Sequence, residues 1–228
     1  MKIKTDKYKK ILNLKKKFKF SEFELITNYG LFSGDTNLFK TLTIFQLIHE
    51  TRKIKGDIIE FGIHKGNTSL LIKKILDIYK IKKKLYLLDH FKGLIHYEKK
   101  DTLDSKKFSS KYSGKKNQLK SFINFFKFKN INIIDKNAID LKPGYFKNIT
   151  FSLAYFDLDL YLPTLRALNS INKNMSIGSY LVFDQGCKKL WAERKAINEF
   201  IIQNKNYKKI YIDNKKRQPD IILKKIKF

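Results

Sequence analysis

Apolar and polar positions follow two rhythms along this chain. Short apolar runs of strand length alternate with stretches whose apolar residues recur every three or four positions. DIIEFG (57–62), LYLLD (85–89), INIID (131–135), SLAYFD (152–157) and SYLVFD (179–184) read as five strands. They are continuously apolar rather than alternating, as strands buried on both faces are. Between them NTSLLIKKILDIYK (67–80), NQLKSFINFFKF (117–128), PTLRALNSINKN (163–174) and AERKAINEFIIQN (192–204) carry helical spacing, and a short helix or turn is expected over 138–147. Pro163 suits the first turn of its helix. KKIYID (208–213) and DIILKKI (220–226) are two more strands around a hairpin-length connection. Upstream, a basic amphipathic stretch to about residue 30 reads as helix. A second helix, NLFKTLTIFQLIHETRKI, follows a cap at Asp35 or Thr36 and ends at Gly56.

Strands alternating with helices predict an α/β fold: a seven-strand, mostly parallel sheet with helices on both faces and a closing hairpin. The expected organisation is an N-terminal helical extension over 1–52 and one ligand-binding domain over 53–228. Residues 92–116 are polar and irregular. A connection of that length points to a functional loop.

Composition changes this picture little. Of 49 basic residues only four are Arg, and the net charge is +28. A protein that reads bases would favour Arg, whose planar fork matches guanine edges. No zinc-finger spacing or RNA-recognition motif occurs, so no specific nucleic-acid partner is expected. The charge instead suits attraction of an anionic substrate. No apolar run approaches the ~20 residues of a membrane span. The first twenty residues lack the continuous apolar core of a secretory signal. The single cysteine, Cys187, points to a reducing compartment and a cytoplasmic location. The basic N-terminus could touch an acidic membrane surface or form a homo-oligomer interface.

In a parallel sheet the ligand sits beyond the carboxyl ends of the strands. The first strand end, EFGIHKGNTS, presents Glu60, Gly62, Gly66, Thr68 and Ser69. Gly62 permits close backbone approach, and Gly66 opens a helix whose amides face the ligand. Glycine at such turns is also common for purely structural reasons. Asp89 ends the second strand, where a carboxylate can accept both ribose hydroxyls; capping a following helix is the competing role. The third strand leads to Asp135, Asn137 and Ala138, where an amide could meet an adenine edge. Asp157 and Asp184 end the fourth and fifth strands, and Gln185 follows. These three oxygen donors suit a hard divalent cation such as Mg²⁺; capping of the following helices is the competing role for Asp157 and Asp184. Asp159, two residues past the strand end, is a candidate base or a group supporting the metal ligands from behind. His90, Trp191, Lys92, Lys188, Lys189 and Arg194 border the same edge.

GDIIEFGIHKGNTSL, LYLLDHFKGL, FDLDLYLPTLRALN and GSYLVFDQGCKKLWAERKAINEF resemble, in order and spacing, the macrocin O-methyltransferase-like (TylF/MycF) family. The resemblance spans roughly residues 30–205. It implies a class I methyltransferase fold, S-adenosylmethionine as donor, and metal-assisted transfer to a sugar hydroxyl on a nucleotide sugar or glycoside, as in surface-polysaccharide biosynthesis. Family members often oligomerise. Carried over, Glu60, Gly62 and Gly66 fall on the cofactor loop, Asp89 on the ribose position and Asn137 near the adenine. Asp157 and Asp184 fall on metal-ligand positions, with Asp159 the second acid of D-x-D. Gln185 departs from the family's usual Asp, which removes a charge from the expected metal site. Two alternatives stay open: a same-fold methyltransferase acting on a non-sugar or nucleic-acid substrate, or a non-catalytic module with a degraded metal site.

Overall fold

The computed structural model describes residues 13, 16–27, 35–109, 111–187, 189–212 and 217–227. The chain divides into two compact units, Met1–Phe39 and Lys40–Phe228. In the first, helix α1 (Glu22–Thr27) opens on a capping box. Ser21 Oγ accepts the Glu24 N–H at 3.2 Å, and Glu24 Oε2 accepts the Ser21 N–H at 2.7 Å. Helix α2 (Asp35–Thr51) runs across the division. Ile44, Leu47 and Ile48 belong to the core of the second unit.

The seven expected strands all form: β1 (Asp57–Phe61), β2 (Leu85–Asp89), β3 (Ile131–Asp135), β4 (Phe151–Phe156), β5 (Met175–Phe183), β6 (Tyr207–Ile212) and β7 (Ile221–Lys225). They make one sheet in the order β3-β2-β1-β4-β5-β7-β6. β1 to β5 pair in parallel, and β7 runs antiparallel to both β5 and β6. The strand order reverses at β1, which lies between β2 and β4. That makes the carboxyl end of β1 the predicted place for a ligand.

Side chains alternate across the sheet and build a core on each face. Ile59, Phe61, Leu88, Phe156 and Phe183 pack against α6 (Tyr161–Ile171) and α7 (Glu193–Gln203) through Leu168, Ile171, Ile197 and Phe200. Ile58, Leu87, Leu153, Tyr155 and Val182 pack against α2 and α3 (Asn67–Ile78) through Ile48, Ile72 and Leu76, and Leu119 joins them.

Local details refine the expectations. β5 begins at Met175, ahead of Gly178, because it carries a bulge: Phe151 pairs with Met175 but Leu153 with Tyr180. Gly178 supplies the positive φ of +82° inside that bulge. The short helix or turn expected over 138–147 resolves as a 3-10 turn, Ala138–Asp140, followed by turn residues, since Pro143-Gly144 keeps it from extending as a helix. The long loop contains a short helix, α4 (Leu103–Lys106), capped by Thr102, and α5 (Lys116–Phe125) starts where the loop ends.

Candidate active site

The turn after β1 is held from three sides. Gly62 has φ +84°, and a Cβ there would lie 2.1 Å from the Asp157 carbonyl oxygen. The β1 turn and the end of β4 therefore touch through backbone, which only glycine allows. Asp89 holds the other flank. Its Oδ2 accepts the Ile63 and His64 N–H groups at 2.7 and 2.9 Å, and its Oδ1 accepts the Phe91 N–H at 2.6 Å. The carboxylate placed on the ribose position by sequence thus spends three hydrogen bonds on backbone, and it caps no helix. Gly114, at the close of the long loop, completes the enclosure: a Cβ there would lie 2.0 Å from the His64 carbonyl oxygen.

Glu60 sits in mid-sheet beside Leu87 and Tyr155, buried to 1% exposure. Ser69 Oγ, in the first turn of α3, donates to Glu60 Oε2 at 2.5 Å. Burial pushes the Glu60 carboxyl up to about 8, with Ser69 and Lys40 opposing the shift. Thr68 and Ser69 are buried and brace the turn. Beyond β2 and β3 opens a cavity of about 390 Å³, lined by His90, Lys92, His96, Asp135, Asn137 and Asp140 among others. Asn137 Oδ1 accepts the Ile139 N–H at 3.2 Å, so its side chain caps the 3-10 turn that borders the cavity. Ala138 is buried. Burial lowers the His90 imidazole, more than neighbouring Asp89 raises it, and so favours its neutral form.

Asp157 and Asp184 follow register partners, Phe156 and Phe183, on adjacent strands. Their backbones therefore leave the sheet side by side, one strand spacing (~4.8 Å) apart. A lysine joins them. Lys40 Nζ lies 2.8 Å from Asp184 Oδ1, and the Tyr155 hydroxyl donates to the same oxygen. Burial pulls the Lys40 ammonium down, but the charges of Asp184, Asp157 and Glu60 outweigh it and leave it above the ordinary lysine value. Tyr155 is driven well above the ordinary phenol value by burial and by Asp184.

Gln185 turns its carbonyl oxygen to the Trp191 indole N–H, 2.7 Å away. Its backbone N–H donates to Glu193 Oε2 at 3.1 Å. Glu193 is fully buried, and burial with the charges of Asp159 and Asp157 pushes its carboxyl far up. Asp159, at φ +63° and 6% exposed, accepts the Glu193 N–H through its carbonyl at 3.2 Å. Asp159 also raises Tyr97, which burial, Asp101 and Asp159 together push up to about 12. The candidate base thus faces the long loop.

That loop is packed. Asp101 accepts the Tyr161 N–H at 2.9 Å, and Thr102 Oγ1 donates to the Leu190 carbonyl at 2.6 Å. Its rings continue the wall of the site: Phe108 meets Trp191 at 5.3 Å and Tyr112 at 6.0 Å, and Tyr112 meets His64 edge-on at 5.9 Å. Lys92 is exposed beside the cavity, Lys189 and Arg194 are exposed after β5, and Lys188 lies outside the described residues.

The sequence profile of the macrocin-O-methyltransferase (TylF) family matches residues 38–215. The chain belongs to that family. Two solved enzymes share the fold. The O-methyltransferase NovP aligns at 17% identity and TM-score 0.69, over 82% of this chain and 79% of its own. The calicheamicin methyltransferase CalS11 aligns at 19% identity and TM-score 0.79, over 96% and 91%. A further structure of CalS11, described as a TDP-rhamnose 3'-O-methyltransferase, aligns at 20% identity and TM-score 0.71, over 96% and 93%. No curated protein matches the sequence.

The metal implied by the TylF resemblance would draw on Asp157, Asp184 and Gln185. The residues present do not fit it. One oxygen of Asp184 serves Lys40 and Tyr155, and the Gln185 carbonyl serves Trp191. Among the described residues no group of three or more His, Cys, Asp or Glu side chains could hold a metal ion. Sequence reasoning also missed Lys40, Tyr155 and Glu193. For Lys40 there was one usable signal: it falls on the helical stripe of Ile44, Leu47 and Ile48, where an unpaired lysine has no place.

Proposed function

We propose that this chain transfers a methyl group from S-adenosylmethionine to a sugar hydroxyl, with a nucleotide sugar as the preferred acceptor. One arrangement carries the reading. A polar cavity at the ends of β2 and β3 and a pair of acids at the ends of β4 and β5 flank the same glycine turn. The donor, when bound, supplies an electrophilic methyl on a sulfonium. The cavity beside Asn137 and Asp135 has the size and polarity for its nucleoside part, and the turn at Gly62 leads from there to the acids. Asp157 stands where a cationic centre gains from negative charge.

The acceptor enters from the other side, against Trp191, Phe108 and Tyr112, rings suited to a sugar face. Its hydroxyl oxygen forms the new C–O bond while the C–S electron pair returns to sulfur. The hydroxyl proton passes to a carboxylate at the D-x-D segment, Asp157 or Asp159. Fixing both partners at one sheet edge supplies orientation. Lys92, Lys189 and Arg194 offer exposed positive charge for a diphosphate, and the net charge of +28 draws an anionic acceptor. CalS11's TDP-linked acceptor supports this choice of substrate class. Surface-polysaccharide or glycoside biosynthesis in the cytoplasm is the setting we assign, with the N-terminal unit as oligomer contact.

The test is direct. Purified protein is incubated with S-adenosylmethionine and a panel of nucleotide sugars, and products are read by mass spectrometry. Gain of one CH₂ on a nucleotide sugar is expected. Methylation of RNA alone, or of no sugar in the panel, would reject the acceptor class. Absence of calorimetric heat with S-adenosylhomocysteine would reject methyl transfer itself.

A further inference from the structure

Lys40 is placed like a core residue. It shares the stripe of α2 occupied by Ile44, Leu47 and Ile48, positions four, seven and eight residues on, each of them buried. That stripe faces the sheet, so the side chain is directed inward and is only 15% exposed. Its ammonium lies 2.8 Å from Asp184 Oδ1 and 5.1 Å from the centre of the Tyr155 ring. Tyr155 completes the arrangement by donating to the same Asp184 oxygen. Asp157 and Glu60 are within electrostatic reach of the ammonium. Such a lysine is a built part of the site, distinct from the solvated lysines that dominate the surface.

We propose that the Lys40 ammonium is the resident cation of this active site, and that methyl transfer in this chain runs without a divalent metal. The inference rests on the O-methyl-transfer reading. A metal would have to compete with Lys40 and Tyr155 for one Asp184 oxygen and with Trp191 for the Gln185 carbonyl. An ammonium offers three N–H donors. One is given to Asp184; another can reach the acceptor hydroxyl oxygen. There it stabilises negative charge as the proton leaves for the carboxylate and the oxygen forms its bond to the methyl carbon. Lys40 would then do the orienting and charge-balancing work of a metal while remaining fixed to the fold.

The test begins with chelator-treated full-length protein. Mn²⁺ serves as probe, its binding followed by electron paramagnetic resonance and by quenching of Trp191, the single tryptophan, which bonds the neighbouring Gln185. Wild type and Asp184→Asn are expected to give the same weak, non-saturating response, and chelator is expected to leave turnover unchanged. Lys40→Met should lower kcat by ~100-fold, the scale of one lost charge-stabilising donor, while S-adenosylhomocysteine affinity stays within the same order. Lys40→Arg should restore part of the rate. A saturable Mn²⁺ site in wild type that Asp184→Asn removes would overturn the proposal, as would turnover lost to chelator and restored by Mg²⁺. If either variant fails to fold, saturable quenching of wild-type Trp191 still decides. Failure to bind S-adenosylhomocysteine would instead sink the methyl-transfer reading and leave the metal measurement standing.

Discussion

Asp89→Asn separates two roles for one carboxylate. The structure has Asp89 accept three backbone N–H groups, from Ile63, His64 and Phe91. Asn keeps one oxygen. With that oxygen on Ile63 and His64, its NH₂ group faces the Phe91 N–H, donor against donor. Two charge-assisted bonds become neutral ones at ~1 kcal/mol each, and the third is lost at ~2 kcal/mol, about 4 kcal/mol in total. For a unit of this size each kcal/mol moves the midpoint by ~2–4 °C, so the fall should be about 10 °C. Thermal unfolding of the ligand-free protein, followed by circular dichroism, gives the first number. Calorimetry with S-adenosylhomocysteine gives the second. An unchanged melting point together with a tenfold or greater loss of affinity would refute the tether and return Asp89 to the ribose hydroxyls.

Glu60→Gln tests the buried carboxyl through pH. The native group titrates at about 8 against an ordinary 4.5, so the folded state holds the proton more tightly than the unfolded one. Stability should be full below 4.5 and fall as pH rises toward 8, by up to about 1.4 kcal/mol per unit. The variant should lack that slope; denaturant midpoints across pH that stay parallel to wild type would contradict the burial argument. Gly62→Ala sets a Cβ 2.1 Å from the Asp157 carbonyl at a φ of +84°. It should cost about 3 kcal/mol or more in urea unfolding, and a cost below about 1 kcal/mol would deny the contact. Phe108→Ala removes the ring tilted against Trp191. Tryptophan emission should move to the red, and an unshifted spectrum would mean that the loop does not cover it.

Much of the fold was legible because its signals are local. Continuous apolar runs named the buried strands, helical spacing named the elements between them, and β3 falls on the expected residues 131–135. The right-handed crossover rule then left few strand orders open. The turn at Gly62 and the adjacency of Asp157 and Asp184 followed from the same reasoning, since strand ends in a parallel sheet share an edge.

What the sequence could not state were contacts between distant residues. Lys40 and Asp184 are 144 positions apart, and Lys40 was hidden among a great many other lysines. Asp89 was correctly placed at a strand end, but whether it met ligand or backbone depended on how the β1 turn folded over it. Gln185 was recognised as a departure, yet only packing could aim its carbonyl at Trp191. Sequence alone determined the periodicity, hence the elements and the edge on which chemistry gathers. Tertiary structure decided which charged groups face one another there, because hydrogen bonds and ion pairs act over a few ångströms of space and leave no period along the chain.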